Sequence, residues 1–215
     1  MSLELMQPYI VSYNPVDNHT IAYFPFTSNL NDGGIHGFNM TSPGVPAFST
    51  VAGKTSVGGF DGGNYLNFAT GLNTALTGLT DWTIESQINY SDVSGGYWLG
   101  INLSSGFYII WGTAPTNAAC NVQVNGGSAQ GNAGAIANDS NWHSVALTQS
   151  SGNVYLFVDG IGQLILSGCQ PIAAPATSCI GVFSPSYPST FNFHGNIRQL
   201  RFSDMARTNF IPLSL

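Results

Sequence analysis

The sequence predicts an all-β protein, an antiparallel sandwich or barrel, and three observations carry that expectation. Apolar residues recur with period two, as in Trp82, Ile84, Ile88 and Tyr90 against Thr83, Glu85, Gln87 and Asn89. Turn-forming residues separate short strands at regular spacing. No stretch of about 12 residues holds a helical period.

Along the chain, residues 1–18 come first. With Pro8 and Asn14-Pro15 they read as an extended N-terminal arm, leaving 19–215 as one domain. The run from Trp82 to Tyr90 predicts a half-buried strand with one wet side. Residues 97–103, a turn at 104–106 and residues 107–111 predict a hairpin. A second hairpin is predicted from 142–148, a polar turn at 149–153 and 154–158. Asp159-Gly160 then predicts a two-residue type I′ turn into a returning strand at 162–166. Residues 171–175 and 184–188, rich in Pro and Ser, predict loops.

Composition narrows the function. Charged residues make 7% of the 215, against about 25% in an ordinary soluble domain. Four basic residues cannot build a phosphate-neutralising groove or a polybasic membrane patch, so nucleic-acid binding is not expected. The longest apolar stretch, Phe107 to Trp111, is too short to span a bilayer, so membrane insertion is not expected either. Apolar content of 43% excludes disorder. Gly, Asn, Ser, Thr and Gln keep the surface wet instead, and copies bearing so little charge repel one another weakly, which suits dense packing. The N-terminus has Glu4 where an export signal needs a base, and no apolar run follows it. Cys120, Cys169 and Cys179 lack metal spacing. They read as buried free thiols, with a Cys169–Cys179 bridge as the alternative.

Four segments in order resemble the laminin-G-like, concanavalin A-like jelly-roll superfamily. They are Ile21-Ala22-Tyr23-Phe24-Pro25-Phe26 with Asn31-Asp32; Gly59-Phe60-Asp61-Gly62 before Asp81-Trp82-Thr83-Ile84-Glu85; Trp142-His143-Ser144-Val145 leading to Val158-Asp159-Gly160; and Phe193-His194-Gly195-Asn196-Ile197 through Phe202. The resemblance spans about residues 20–210. It implies an antiparallel β-sandwich of the jelly-roll kind and leaves function open, because this sandwich hosts lectins, adhesion modules, glycanases and virion parts. The closing strand departs from the pattern: Arg198 and Gln199 stand where relatives commonly carry an acidic pair, so a cation held there in relatives is not implied here. Its alternation also slips, with Ile197 on one phase and Leu200 and Phe202 on the other, and a β-bulge would reconcile them.

No catalytic residues are expected. Glycanases on this sandwich resemble one another in setting carboxylates at alternate positions of one strand, whereas Glu85 is the one acid on its strand. The aspartates sit beside turn residues and read as turn and cap acceptors. His143 reads as a structural strand residue, and no Gly-x-Ser-x-Gly elbow is present. Sugar binding needs an aromatic face with planar hydrogen-bonding groups, for which Tyr97, Trp98, Asn102, Tyr108 and Trp111 are the candidates, the tryptophans being weighted toward the core. No cofactor and no metal site are expected; calcium is the metal the loops at Asp32 and Asp61 would suit, although both read first as ordinary turns.

The functional expectation is therefore a non-enzymatic virion component of a bacteriophage, such as a capsid decoration, fibre or receptor-binding part. It would dock on other virion proteins or on itself through residues 1–18 and display loops toward host-surface glycans. The alternative is a carbohydrate-binding or adhesion module of a bacterial surface or secreted protein.

Overall fold

The computed structural model describes residues 16–61, 63–90, 96–103, 108–113, 120–124, 127–131, 139–182 and 192–208; at 97–98, 102–103, 108–113, 120–124, 127–131 and 176 it describes the backbone alone. The elements are β1 (Thr20–Phe24), β2 (Ala47–Val51), β3 (Lys54–Gly58), β4 (Leu66–Asn67), α1 (Thr70–Leu76) and β5 (Trp82–Tyr90). Then follow β6 (Gly96–Leu103), β7 (Tyr108–Thr113), β8 (Cys120–Val124), β9 (Gly127–Gly131) and β10 (Trp142–Ser150). The chain closes with β11 (Asn153–Val158), β12 (Ile161–Leu166), β13 (Pro175–Ile180) and β14 (Gly195–Ser203). All pairings are antiparallel. An eight-stranded sheet runs β12-β11-β10-β5-β14-β3-β2, with β1 also on β14, and a six-stranded sheet runs β4-β13-β6-β7-β8-β9.

The core lies between the two sheets. Trp82, Ile84, Ile88 and Tyr90 of β5 enter it with Val145 and Leu147 of β10, Leu99 and Ile101 of β6, and Leu66 and Ile180 from the six-stranded sheet. Aromatic rings fill its length: Tyr90 stacks on Phe193 with centroids 5.6 Å apart, and Phe68 meets Phe202 edge-on at 5.2 Å.

The expected wet side of β5 is not wet. Thr83, Gln87 and Asn89 are 1–3% exposed and Glu85 8%. Two segments cover this outward face. Residues 205–207 cross it, with Thr83 and Thr148 hydroxyls donating to the Met205 and Arg207 carbonyls at 2.8 and 3.0 Å. The tip of the β2–β3 hairpin curls over the other part, since the Trp142 indole N–H donates to the Val51 carbonyl at 3.0 Å. In a flat sheet four strand spacings, about 19 Å, would separate β10 from β2. Polarity at alternate positions marks which side avoids the oily core, and does not say whether that side meets water.

Three hairpins close on two residues with positive φ: Ala52-Gly53 (48°, 77°), Ser151-Gly152 (48°, 76°) and Asp159-Gly160 (49°, 83°). These are type I′ geometries, which match the twist of the strands they join. In β14, Arg198 pairs with Gln87 and Arg201 with Glu85, so three steps on one strand oppose two on the other. That is the expected bulge, with Gln199 at φ 52°. It returns Ile197, Leu200 and Phe202 to one face, all 0% exposed.

Helix α1 was not expected. Its seven residues are too few for a period to show; Leu72 and Leu76 are buried in the core and Ala75 packs against it. Residue 175, placed in a loop by sequence, begins β13. Cys169 and Cys179 are both free thiols, and burial pushes the Cys179 thiol up to about 12. Of the arm, residues 1–15 lie outside the described residues, as does the loop at 184–188. Asp17 is tied to the sandwich by Arg207, whose Nη2 donates to both carboxylate oxygens at 2.8 and 2.7 Å.

Candidate functional site

Register on the six-stranded sheet sorts its residues into two faces. Leu99 and Ile101 are fully buried, and they pair with Trp111 and Ile109, which therefore share the core-side phase. The opposite phase carries Gly100, Asn102, Tyr108, Ile110 and Gly112, joined by Tyr97 across the irregularity between Tyr97 and Leu99. Trp98 stands at that irregularity. The side chains of Tyr97, Trp98, Asn102, Tyr108 and Trp111 lie outside the described residues, so these are placements of the backbone.

The outward phase continues across the sheet. Asn121 and Gln123 of β8 pair with Gly112 and Ile110, and Gln130 and Ser128 of β9 pair with Asn121 and Gln123. On the other flank Thr177 of β13 pairs with Asn102. This phase thus carries tyrosine, amides and hydroxyls around a middle row of Gly100 and Ile110, with the buried Cys179 at the β13 end of that row, and none of these residues is charged. The β8 and β9 positions were missed by sequence reasoning, although Asn121-Val122-Gln123-Val124 does alternate.

The described carboxylates are engaged in structure. Glu85 meets Arg201 in a buried pair. Burial pushes its carboxyl up, and the Arg201 guanidinium opposes that shift. Asp81 caps the Ser151 amide at 2.9 Å. Asp139 and Asp159 do converge, but on the two ring nitrogens of His143, at 3.2 and 2.7 Å, and not on a cleft. Asp159 also accepts the Ser144 amide at 2.8 Å, tying its turn to β10. The amide of Asn141 holds the Asp139 carboxyl down at about 2, with the His143 ring assisting. Burial alone would lower the His143 pKa, yet its hydrogen bonds and charge contacts with both aspartates raise it.

The calcium candidates are similarly occupied. Asp32 Oδ1 accepts the Tyr23 and Gly34 amides at 2.9 and 2.7 Å, and Oδ2 accepts the Phe38 amide at 3.0 Å. Asp61 Oδ1 accepts the Gly63 and Asn64 amides and the Asn64 side chain at 3.0–3.1 Å. Among the described residues no group of three or more His, Cys, Asp or Glu side chains is placed to hold a metal. An open depression of about 520 Å³ beside α1 is lined by Thr70, Asn73, Thr74, Thr77, Ala174 and Pro175, without an aromatic platform.

No protein-family model and no curated protein matches this sequence. Solved structures do. Domain 4 of an extracellular GH43 arabinanase from Geobacillus stearothermophilus, solved with arabinotriose, aligns at TM-score 0.64 and 14% identity over 87% of this chain and 93% of that one. The chain has the concanavalin A-like fold. Other domains aligning with this sandwich show how widely it is used. Botulinum neurotoxin type C, whose cell entry depends on two ganglioside molecules, matches at TM-score 0.62 and 12% identity over 88% of this chain. The sialidase of Trypanosoma rangeli matches at 0.60 and 11% over 87% of it. The chain spans 48% of the toxin chain and 31% of the sialidase chain, so these are likenesses to one part of larger proteins. No helix among the described residues is long and apolar enough to cross a membrane.

Proposed function

We propose that this concanavalin A-like domain is a non-catalytic carbohydrate-binding module that takes a neutral glycan on the outward face of its six-stranded sheet. One observation carries the reading: the register gathers Tyr97, Asn102, Tyr108, Asn121, Gln123 and Gln130 on one face. Sugars present hydroxyls to planar amides and C–H faces to aromatic rings, so this band supplies both kinds of contact without charge. The arabinotriose-bound neighbour supports the reading by analogy of fold. Extracellular or cell-surface use follows from it. The expectation of a virion component rested on the charge-poor surface and on residues 1–18, and no described contact favours it over the module.

A glycan array followed by calorimetry on the full chain tests the proposal. Binding to a neutral oligosaccharide at millimolar affinity or better is expected, with at least a tenfold loss in Tyr97→Ala or Tyr108→Ala. Unchanged affinity in both variants, or hydrolysis of the bound glycan, overturns it.

A further inference from the structure

We infer that the chain holds a second site, for an oxyanion, between Lys54 and Arg198 under the β2–β3 turn of the other sheet. All four basic residues of the protein fall on the outward phase of the eight-stranded sheet or on the segment that crosses it: Lys54 on β3, Arg198 and Arg201 on β14, and Arg207 just beyond. Two of them face acids, Arg201 with Glu85 and Arg207 with Asp17. The other two do not. Lys54 Nζ and Arg198 Nε are both shut off from solvent without a hydrogen-bond partner.

Strand pairing brings the two together: Ile197 faces Val57 on β3, and Val51, the partner of Lys54, holds the Trp142 indole against which Arg198 lies. Burial first, and the Arg198 charge second, hold the Lys54 ammonium below its usual range. The remaining titratable neighbour, Tyr23, offers no negative charge, because burial pushes its hydroxyl up despite Arg198 and Arg201. Arg198 is fixed in orientation, its guanidinium carbon 6.0 Å above the Trp142 ring, while that indole is latched to Val51. Buried like charges are unfavourable unless an opposite charge joins them. An ammonium beside a guanidinium fork is the donor set that recognises a carboxylate, sulfate or phosphate oxygen.

Access is simple. β2 is an edge strand with its residues largely exposed, and the Ala52-Gly53 tip is open to solvent. Lifting that tip, which breaks the Val51–Trp142 hydrogen bond, is the proposed route by which an anion reaches the two cations. The same oxygen chemistry comes from a uronic acid sugar or from an inorganic ion. This site prefers anions and lies on the opposite sheet from the uncharged band, so either site can fail without the other.

The test is thermal melting of the full chain at constant ionic strength with D-glucuronate, inorganic phosphate or D-glucose, in the wild type, Lys54→Met and Arg198→Gln. A saturable rise in Tm of about 2–4 °C is expected for at least one anion. Glucose leaves Tm unchanged, and both variants lose the rise. A response to glucuronate alone assigns the site to an acidic sugar, and a response to phosphate alone to an inorganic group. Ligand-free Lys54→Met should melt no lower than wild type, because a like charge has gone, and it decides the matter if Arg198→Gln does not fold. No saturable rise in the wild type, or an equal rise in Lys54→Met, overturns the proposal.

Discussion

At the residue scale, His143 ties two loops to one strand by facing a carboxylate with each ring nitrogen. Both nitrogens can donate only in the imidazolium, so the clasp is complete when the ring is protonated. Its folded-state pKa is raised above 6.5, so the stabilisation is full below about pH 6.5 and disappears as pH rises through the folded value. Melting curves taken upward from pH 6 should show this fall, and His143→Gln should flatten it. Glu85 belongs to the same scale. Replacing it by Gln leaves the Arg201 charge buried without its carboxylate and should cost about 3–5 kcal/mol in urea unfolding. Glu85→Leu with Arg201→Met should recover much of that. The sequence made Glu85 conspicuous as the single acid on its strand, but its partner lies 116 residues away and no local pattern announces it.

At the element scale, the bulge in β14 shows what could be read in advance and why. A slip between Ile197 and Leu200 is a conflict of phase within one strand, and a single extra residue is the smallest repair. The Asp159-Gly160 turn was legible for the same reason: its geometry is set by the two residues that form it. Ala52-Gly53 and the helix at Thr70–Leu76 were not, since Ala is a poor turn signal and seven residues carry no period. Gln199 sits at φ 52°, where a Cβ is unfavourable. Gln199→Gly should therefore raise Tm by about 2–4 °C, read by calorimetry. A fall would mean that the Gln side chain contributes contacts exceeding the backbone strain.

At the scale of the whole molecule, sequence reasoning recovered the class of fold and misjudged one of its faces. Alternation in β5 separated Trp82 and Ile84 from Thr83 and Glu85 correctly, yet both sets are buried, because the β2–β3 tip and residues 205–207 lie over the polar one. Such covering is a tertiary event, and period two is blind to it. The candidate glycan band was half visible. The hairpin at residues 97–111 drew attention through its aromatics, but which of them share a face depended on register, and the irregularity beside Trp98 changes the count by one. The amides of β8 and β9 join that face only once the strand order is known.

The Asp17–Arg207 pair joins the first and last stretches of the described fold, and beside it Thr20 pairs with Ser203 while His19 meets Asp204 at 2.9 Å. Entry and exit are therefore adjacent, fastened by strand pairing, one ion pair and one His–Asp hydrogen bond. A unit wired in this way can be spliced into a surface loop of a host protein as a cassette, its two leads emerging side by side and hardly stretching the insertion point.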